Sequence, residues 1–263
     1  YSHITEMIWR PDVDKREYGA FRMANGMKVL VISDPNAMTC SASLDVHVGQ
    51  FADPDELPGL AHLTEHMVFM HSYKYPELNS FQDFIANHGG RSNAYTSVER
   101  TNYFFEVTKD AFGEALDRFA HFFIDPIFNQ EGIDLELPSI QSEYEKDLTL
   151  PGWQMKFLLQ TVSNPRSVYH RFSIGNLKSL RDDPKANGIN VTERLQEFFD
   201  TYYSSRIMTL AVISNKPLQE IELQVKGIFS RLRNFKLDVP TYHHSPIPFS
   251  TGYEQRVVQY LPS

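Results

Sequence analysis

One cysteine in 263 residues rules out an internal disulfide, and with it the disulfide-stapled secreted scaffolds. Cys40 itself reads as a small, semi-buried strand residue rather than a reactive thiol. No run of about 18 apolar residues occurs, so no membrane-spanning helix is expected. Positive charge is scarce and scattered: 25 Lys and Arg stand against 33 Asp and Glu, a net charge of −8. Nucleic acid is therefore excluded as a partner, because phosphate binding needs a concentrated basic face. The chain opens at Tyr1 without an apolar signal region, which fits a sequence trimmed of any leader, and a cytoplasmic location is the expectation. Internal repeats and low-complexity tracts are also missing.

What remains is ordinary globular composition, 41% hydrophobic and 22% charged, with enough chain for a sizeable core. Glu17–Ala24 and Met27–Ser33 flank Asn25-Gly26, a hairpin signal because both turn residues accept positive φ. Ser41–Val48 alternates as a third strand, with Leu44, Val46 and Val48 on one face. Pro58-Gly59 then breaks the chain before a helix from about Leu60, and a second helix covers about Leu78–His88, closed by Gly89-Gly90. Ser92–Val98 and Asn102–Thr108 read as another strand pair. Phe112, Ala115, Leu116, Phe119, Phe122 and Phe123 fall at helical spacing over 111–124. Helices follow over about 131–148 and 153–163, interrupted at Pro151. Residues 164–190 read as a long loop. Val191–Tyr203 is helical, Ile207–Ile213 a strand, and Leu218–Leu232 a helix. The expected class is α+β, a mostly antiparallel sheet packed against a layer of helices. Residues 1–240 form one domain on this reading. Residues 241–263 make a linker in which Glu254–Leu261 starts a strand belonging to something further on.

The stretch HLTEHMVF at 62–69 carries the chemistry. On a helix, positions i and i+4 project from one face, so His62 and His66 can grip one ion between their imidazoles. Glu65 lies at the edge of that face, where a carboxylate can take a proton from a metal-bound water without being a ligand. Zinc acidifies that water and polarises a carbonyl, so the set implies hydrolysis of an acyl bond, most naturally a peptide. The order H-x-x-E-H is the inverse of the thermolysin-type motif. Five letters can also arise on a solvated acidic helix, but Met67, Val68 and Phe69 continue this one into apolar sequence. A catalytic zinc needs a third protein ligand and an open position. The 131–148 helix offers Glu131, Asp134, Glu136, Glu143, Glu145 and Asp147. Spacing favours Glu136 and Glu143, seven apart on one face, one to bind metal and the other to orient a histidine. Which does which stays open at this level.

The sequence resembles the pitrilysin family of zinc peptidases, most closely its insulysin branch. The resemblance runs through VGQFADPDELPGLAHLTEHMVFM at 48–70, KYPELNSFQDFIANHGGRSNAYTSVERTNYFFEV at 74–107, ALDRFAHFFIDPIF at 115–128, SEYEKD at 142–147, GNLKSL at 175–180 and YYSS at 202–205. It implies the fold of that family and of the mitochondrial processing peptidases. It implies His62, His66 and Glu143 as ligands of one Zn2+, Glu65 as general base, and Glu136 as the second acidic residue that supports the site. It further implies an edge strand, SNAYTS at 92–97, that binds substrate main chain through Asn93 and Ala94. Phe69 and Trp153 would line the pocket for the residue before the cleaved bond; composition alone reads them equally well as core aromatics. His71-Ser72 departs from the small-residue pair common after the motif helix. Insulysin-type enzymes are about four times longer, so the resemblance implies further domains as partners and a fragment that alone has little activity and self-associates through its exposed interface. A non-catalytic zinc- or peptide-binding scaffold subunit is the alternative, and an organellar processing peptidase a weaker third reading.

Overall fold

The computed structural model describes residues 10–242 without a break, together with Ser2–His3, Ile8 and 245–249. The expected strand at Glu254–Leu261 lies outside the described residues.

The expected hairpin forms, but its tight turn is Met23–Gly26, closed by Gly26 N–H to the Met23 carbonyl, and Asn25 does not take the positive φ expected of it. Gly26 has φ +90°, and Glu17–Arg22 pairs antiparallel with Lys28–Ser33. These are β2 and β3; the two-residue β1, Ser2–His3, pairs with β2. Then come β4 (Thr39–Val46), β5 (Arg91–Thr96), β6 (Thr101–Thr108) and β7 (Met208–Ser214). The sheet order is β1-β2-β3-β7-β4-β6-β5. Every pairing is antiparallel except β3 with β7. β7 arrives from the far end of the chain and wedges between β3 and β4.

Alternation decides which face is covered. Val29 and Val31, Leu44 and Val46, Tyr103 and Phe105, and Leu210 and Val212 are buried. Their neighbours Leu30, Ile32, Phe104 and Ile213 stay half-exposed on the opposite face. Cys40 is fully buried on β4 rather than semi-buried, because it falls in the inward register. The helices are α1 (Leu60–Val68), α2 (Ser80–Asn87), α3 (Phe112–Ile124), α4 (Gln130–Asp147), α5 (Pro151–Val162), α6 (Asp183–Ala186), α7 (Val191–Tyr202) and α8 (Leu218–Phe229). All six apolar residues expected inward on α3 are buried. Phe119 and Phe122 join Phe81, Phe105 and Phe69 in an aromatic cluster, with Phe69–Phe122 centroids 5.0 Å apart. None of the described helices is long and apolar enough to cross a membrane.

The break expected at Pro151 is there, between α4 and α5, and Pro151 itself begins α5, where its missing N–H costs nothing. Residues 164–190 are not one long loop. They contain a 3-10 turn at Val168–His170, a π-helical turn at Lys178–Asp182 and α6. Asn176 and Ser179 bond each other reciprocally, side chain to backbone, and start the π turn. Local side-chain bonding of this kind makes a polar stretch ordered without any apolar periodicity.

Candidate metal centre

α1 is set in place from its N-terminus. Gly59 has φ +97° and lies against Gly175, where an added Cβ would meet the Gly175 Cα at 2.4 Å. With no side chain of its own to cap the helix, it leaves that role to Asp53, whose two oxygens accept from Gly59 N–H at 2.8 Å and Ala61 N–H at 2.7 Å. Burial pushes the Asp53 carboxyl up to about 7, against the pull of these two N–H groups and of Arg171. The Arg171 guanidinium donates to the carbonyls of Phe51 and Asp53 and ties the 171–175 segment to this corner.

That segment delivers the first orienting contact. The Ile174 carbonyl lies 2.6 Å from His62 Nδ1. A carbonyl can only accept, so Nδ1 carries the proton and Nε2 turns its lone pair outward. One turn on, His66 Nδ1 lies 2.8 Å from Glu136 Oε2 on α4, which leaves its Nε2 likewise free. The two Nε2 atoms are 3.3 Å apart. Glu143 Oε2 is 3.3 Å from that of His62 and 3.7 Å from that of His66. Three electron-pair donors thus converge on one point.

The donor set fits a tetrahedral cation. Bonds of about 2.0–2.1 Å at tetrahedral angles hold ligand atoms about 3.3 Å apart, and two imidazoles with one carboxylate are a zinc set that leaves a fourth position. Among the described residues, His62, His66 and Glu143 are the group of potential ligands this close together. Without a cation, a proton takes its place. Burial alone would lower His66, but Glu136 and Glu143 outweigh it and push the imidazole up to about 10. Hydrogen bonds from His62 and His66 in turn hold Glu143 well below the usual carboxylate range.

Glu65 is 8% exposed. Thr96 Oγ1 donates to its Oε2 at 2.5 Å, tying it to the end of β5. Burial pushes its carboxyl up, while the His62 charge and the Thr96 bond pull it back. Glu65, both histidines, Glu136 and Glu143 line one cleft of about 480 Å³ together with Phe69, Asn93, Ala94 and Trp153. Every expected site residue is therefore at the cleft. Glu136 stands behind His66 rather than in the ligand group. Phe69 lies at the cleft while its ring also packs against Tyr103 and Phe81. Trp153 stacks beside Phe157 and under the Lys156 ammonium, 4.3 Å from its ring centre.

Among the described residues β5 is the sheet's edge, paired to β6 alone. Ser97 N–H bonds the Arg100 carbonyl across the hairpin at 2.8 Å. Antiparallel alternation then turns the main chain of Tyr95 and Asn93 toward β6 and that of Thr96, Ala94 and Ser92 toward the open edge. Gln50 Nε2 reaching the Thr96 carbonyl at 3.5 Å agrees. The exposed edge groups are thus those of Ser92, Ala94 and Thr96, with Ala94 at their centre, whereas Asn93 offers only its side chain at the cleft rim.

The residues missed by sequence reasoning are Thr96, Asp53, Arg171 and the Ile174 carbonyl. Thr96 fell within a quoted motif, and its hydroxyl was the available signal. A backbone carbonyl carries none.

Comparison with known proteins agrees with this geometry. Residues 28–166 match the family described as Insulinase (Peptidase family M16), and 190–262 match its Peptidase M16 inactive domain. The Homo sapiens insulin-degrading enzyme is 39% identical over 245 residues, 93% of this chain and 24% of its own length. Insulin-degrading enzyme-like 1, peroxisomal, of Arabidopsis thaliana is 41% identical over 97% of this chain and 26% of its own. The crystal structure of pitrilysin superposes with a TM-score of 0.89 at 36% identity, covering 95% of this chain and 26% of that one. The chain spans about a quarter of the length of the relatives it matches. With the inverted motif on α1, Glu143 facing it from α4, and this fold, the chain belongs to peptidase family M16, the insulinase family.

Proposed function

We propose that residues 1–240 are the zinc-bearing catalytic domain of a metalloendopeptidase and that 241–263 lead toward a second domain. The observation that carries this reading is the convergence of His62 Nε2, His66 Nε2 and Glu143 Oε2 at tetrahedral spacing, with the Glu65 carboxylate in the same cleft. Bound there, zinc would supply an acidified water and polarise the scissile carbonyl. Ile174 and Glu136 fix both histidine rings. Glu65, steadied by Thr96, takes the proton of the attacking water and passes it to the departing nitrogen. The main chain of Ala94 pairs with an extended peptide, which supplies affinity without demanding a sequence. Phe69 and Trp153 form apolar walls beside it. The rest of the longer protein would complete the substrate enclosure, so the isolated chain cleaves weakly.

The test is metal content with cleavage of a quenched fluorogenic peptide. Wild type should hold one zinc, Glu143→Ala should lose it, and Glu65→Gln should keep it while losing all hydrolysis. A wild-type chain that takes up no zinc at neutral pH would overturn the reading. The scaffold alternative predicts that Glu65→Gln leaves every measured property unchanged.

A further inference from the structure

Asp147 lies four residues after Glu143 on α4, on the same helical face, and lines the cleft with Trp153. It is 6% exposed. Among the described residues its carboxylate has neither a hydrogen-bond nor an ion-pair partner, and its oxygens are not sealed from the cleft. The contrast with Asp53 is instructive. That carboxylate, 2% exposed, is spent on two helix N–H groups, as a structural role requires. Asp147 bonds nothing in its surroundings, and burial raises its pKa accordingly. The charges that act on it are Lys146 on the same helix, Lys156 on α5, Glu143 and His62. Lys156 is held over the Trp153 ring rather than at ion-pairing distance from it.

A buried carboxylate left unpaired costs free energy unless a guest repays it. We infer that Asp147 forms the anionic wall of a subsite that takes a lysine or arginine side chain from the peptide residue on the N-terminal side of the cleaved bond. A carboxylate can only accept, and a guanidinium or ammonium supplies the donors it lacks. Its place one helical turn from Glu143 sets the subsite next to the reacting carbonyl. Phe69 and the free part of the Trp153 face cover the aliphatic stem of such a side chain. This inference rests on the peptidase reading of the cleft.

The test uses three single-residue probes, the N-acetyl hydroxamates of arginine, norleucine and glutamate, whose metal-binding group fixes the side chain beside the metal whether or not cleavage occurs. Trp9→Phe leaves Trp153 as the single tryptophan of two, so its fluorescence reports binding to the zinc-loaded chain. The arginine probe should bind about tenfold more tightly than norleucine, the scale of one charged hydrogen bond, and the glutamate probe more weakly than both. Asp147→Asn should erase the arginine advantage, leave norleucine binding unchanged and keep one zinc. Lys156→Met, which removes the competing internal cation, should widen the advantage. Equal binding of arginine and norleucine, or an advantage that survives Asp147→Asn, would overturn the subsite. Loss of zinc in Asp147→Asn would overturn it too, by assigning the residue to the metal. Binding of none of the probes would overturn the open metal site beneath it; norleucine binding alone reports that site and separates the two failures.

Discussion

Replacing Glu136 by glutamine isolates what the residue behind a ligand contributes. The Glu136 carboxylate accepts His66 Nδ1–H at 2.8 Å, and a glutamine oxygen can accept the same bond. The change therefore keeps the tautomer and ring orientation and removes only the negative charge. A partner of this kind is worth about 10–100-fold in metal affinity, or about 1.4–2.8 kcal/mol. A second effect opposes it. In the metal-free protein Glu136 and Glu143 push His66 up to about 10 against the effect of burial, and metal must displace that proton. Wild-type affinity should thus rise with pH up to about 10, approaching tenfold per pH unit, because one proton leaves as the metal enters. In Glu136→Gln the proton is held less tightly, so the rise levels off at lower pH. The variant's deficit should accordingly be smallest in mildly acidic solution and reach its full 10–100-fold only in alkali. Competition with a chromogenic chelator across pH 6–10, with circular dichroism as a fold control, reads both effects. A deficit that is the same at every pH, or a loss as complete as that of Glu143→Ala, would refute the assignment of Glu136 to His66 alone.

Three further outcomes follow from the surrounding structure. Thr96→Val removes the bond that holds Glu65 and should lower cleavage about tenfold while keeping zinc, with Thr96→Ser restoring it; normal cleavage by the valine variant would disprove the tether. Asp53 titrates near 7 when folded but near 4 when unfolded, so the folded state holds its proton more tightly and loses stability as pH rises between those values. The stability of wild type relative to Asp53→Asn, from urea melts, should fall by on the order of 4 kcal/mol from pH 4 to pH 7, and a difference independent of pH would contradict the burial argument. Phe119→Ala empties the centre of the aromatic cluster and should cost about 3–5 kcal/mol in the same melts; less than about 1 kcal/mol would mean that the cluster does not pack as described.

The parts of this molecule that repeat at short range were legible. Asn25-Gly26 gave the hairpin, the phenylalanines of α3 their buried face, and His62, Glu65 and His66 their common helix. Glu143 was one of a pair, with Glu136, that spacing favoured among six carboxylates, and only the resemblance singled it out. Its distance from His66, 77 residues along the chain, leaves no periodic trace. Pro151 marked the break between α4 and α5 correctly, and only the start of α5, two residues earlier than expected, was missed. The 164–190 segment misled because its order comes from Asn176, Ser179 and Arg171 bonding to backbone, which composition cannot register. That segment hides the carbonyl that orients His62.

The position of β7 also governs how this chain can be made. Its residues, 208–214, fall in the stretch matched to the second family domain, yet they fill the gap between β3 and β4. A nascent chain emerging from the ribosome can close the β2–β3 and β5–β6 hairpins early, because both are local, and β4 can join β6 once residue 108 has been made. The two halves have no shared strand until some 165 residues after β4 have been synthesised, and closing so long a loop is slow. Until then each half presents an unpaired strand edge to solvent or to a chaperone. Truncation before Ser214 should give two unjoined half-sheets rather than a smaller domain, and the boundary between the two sequence families is no place to cut the gene.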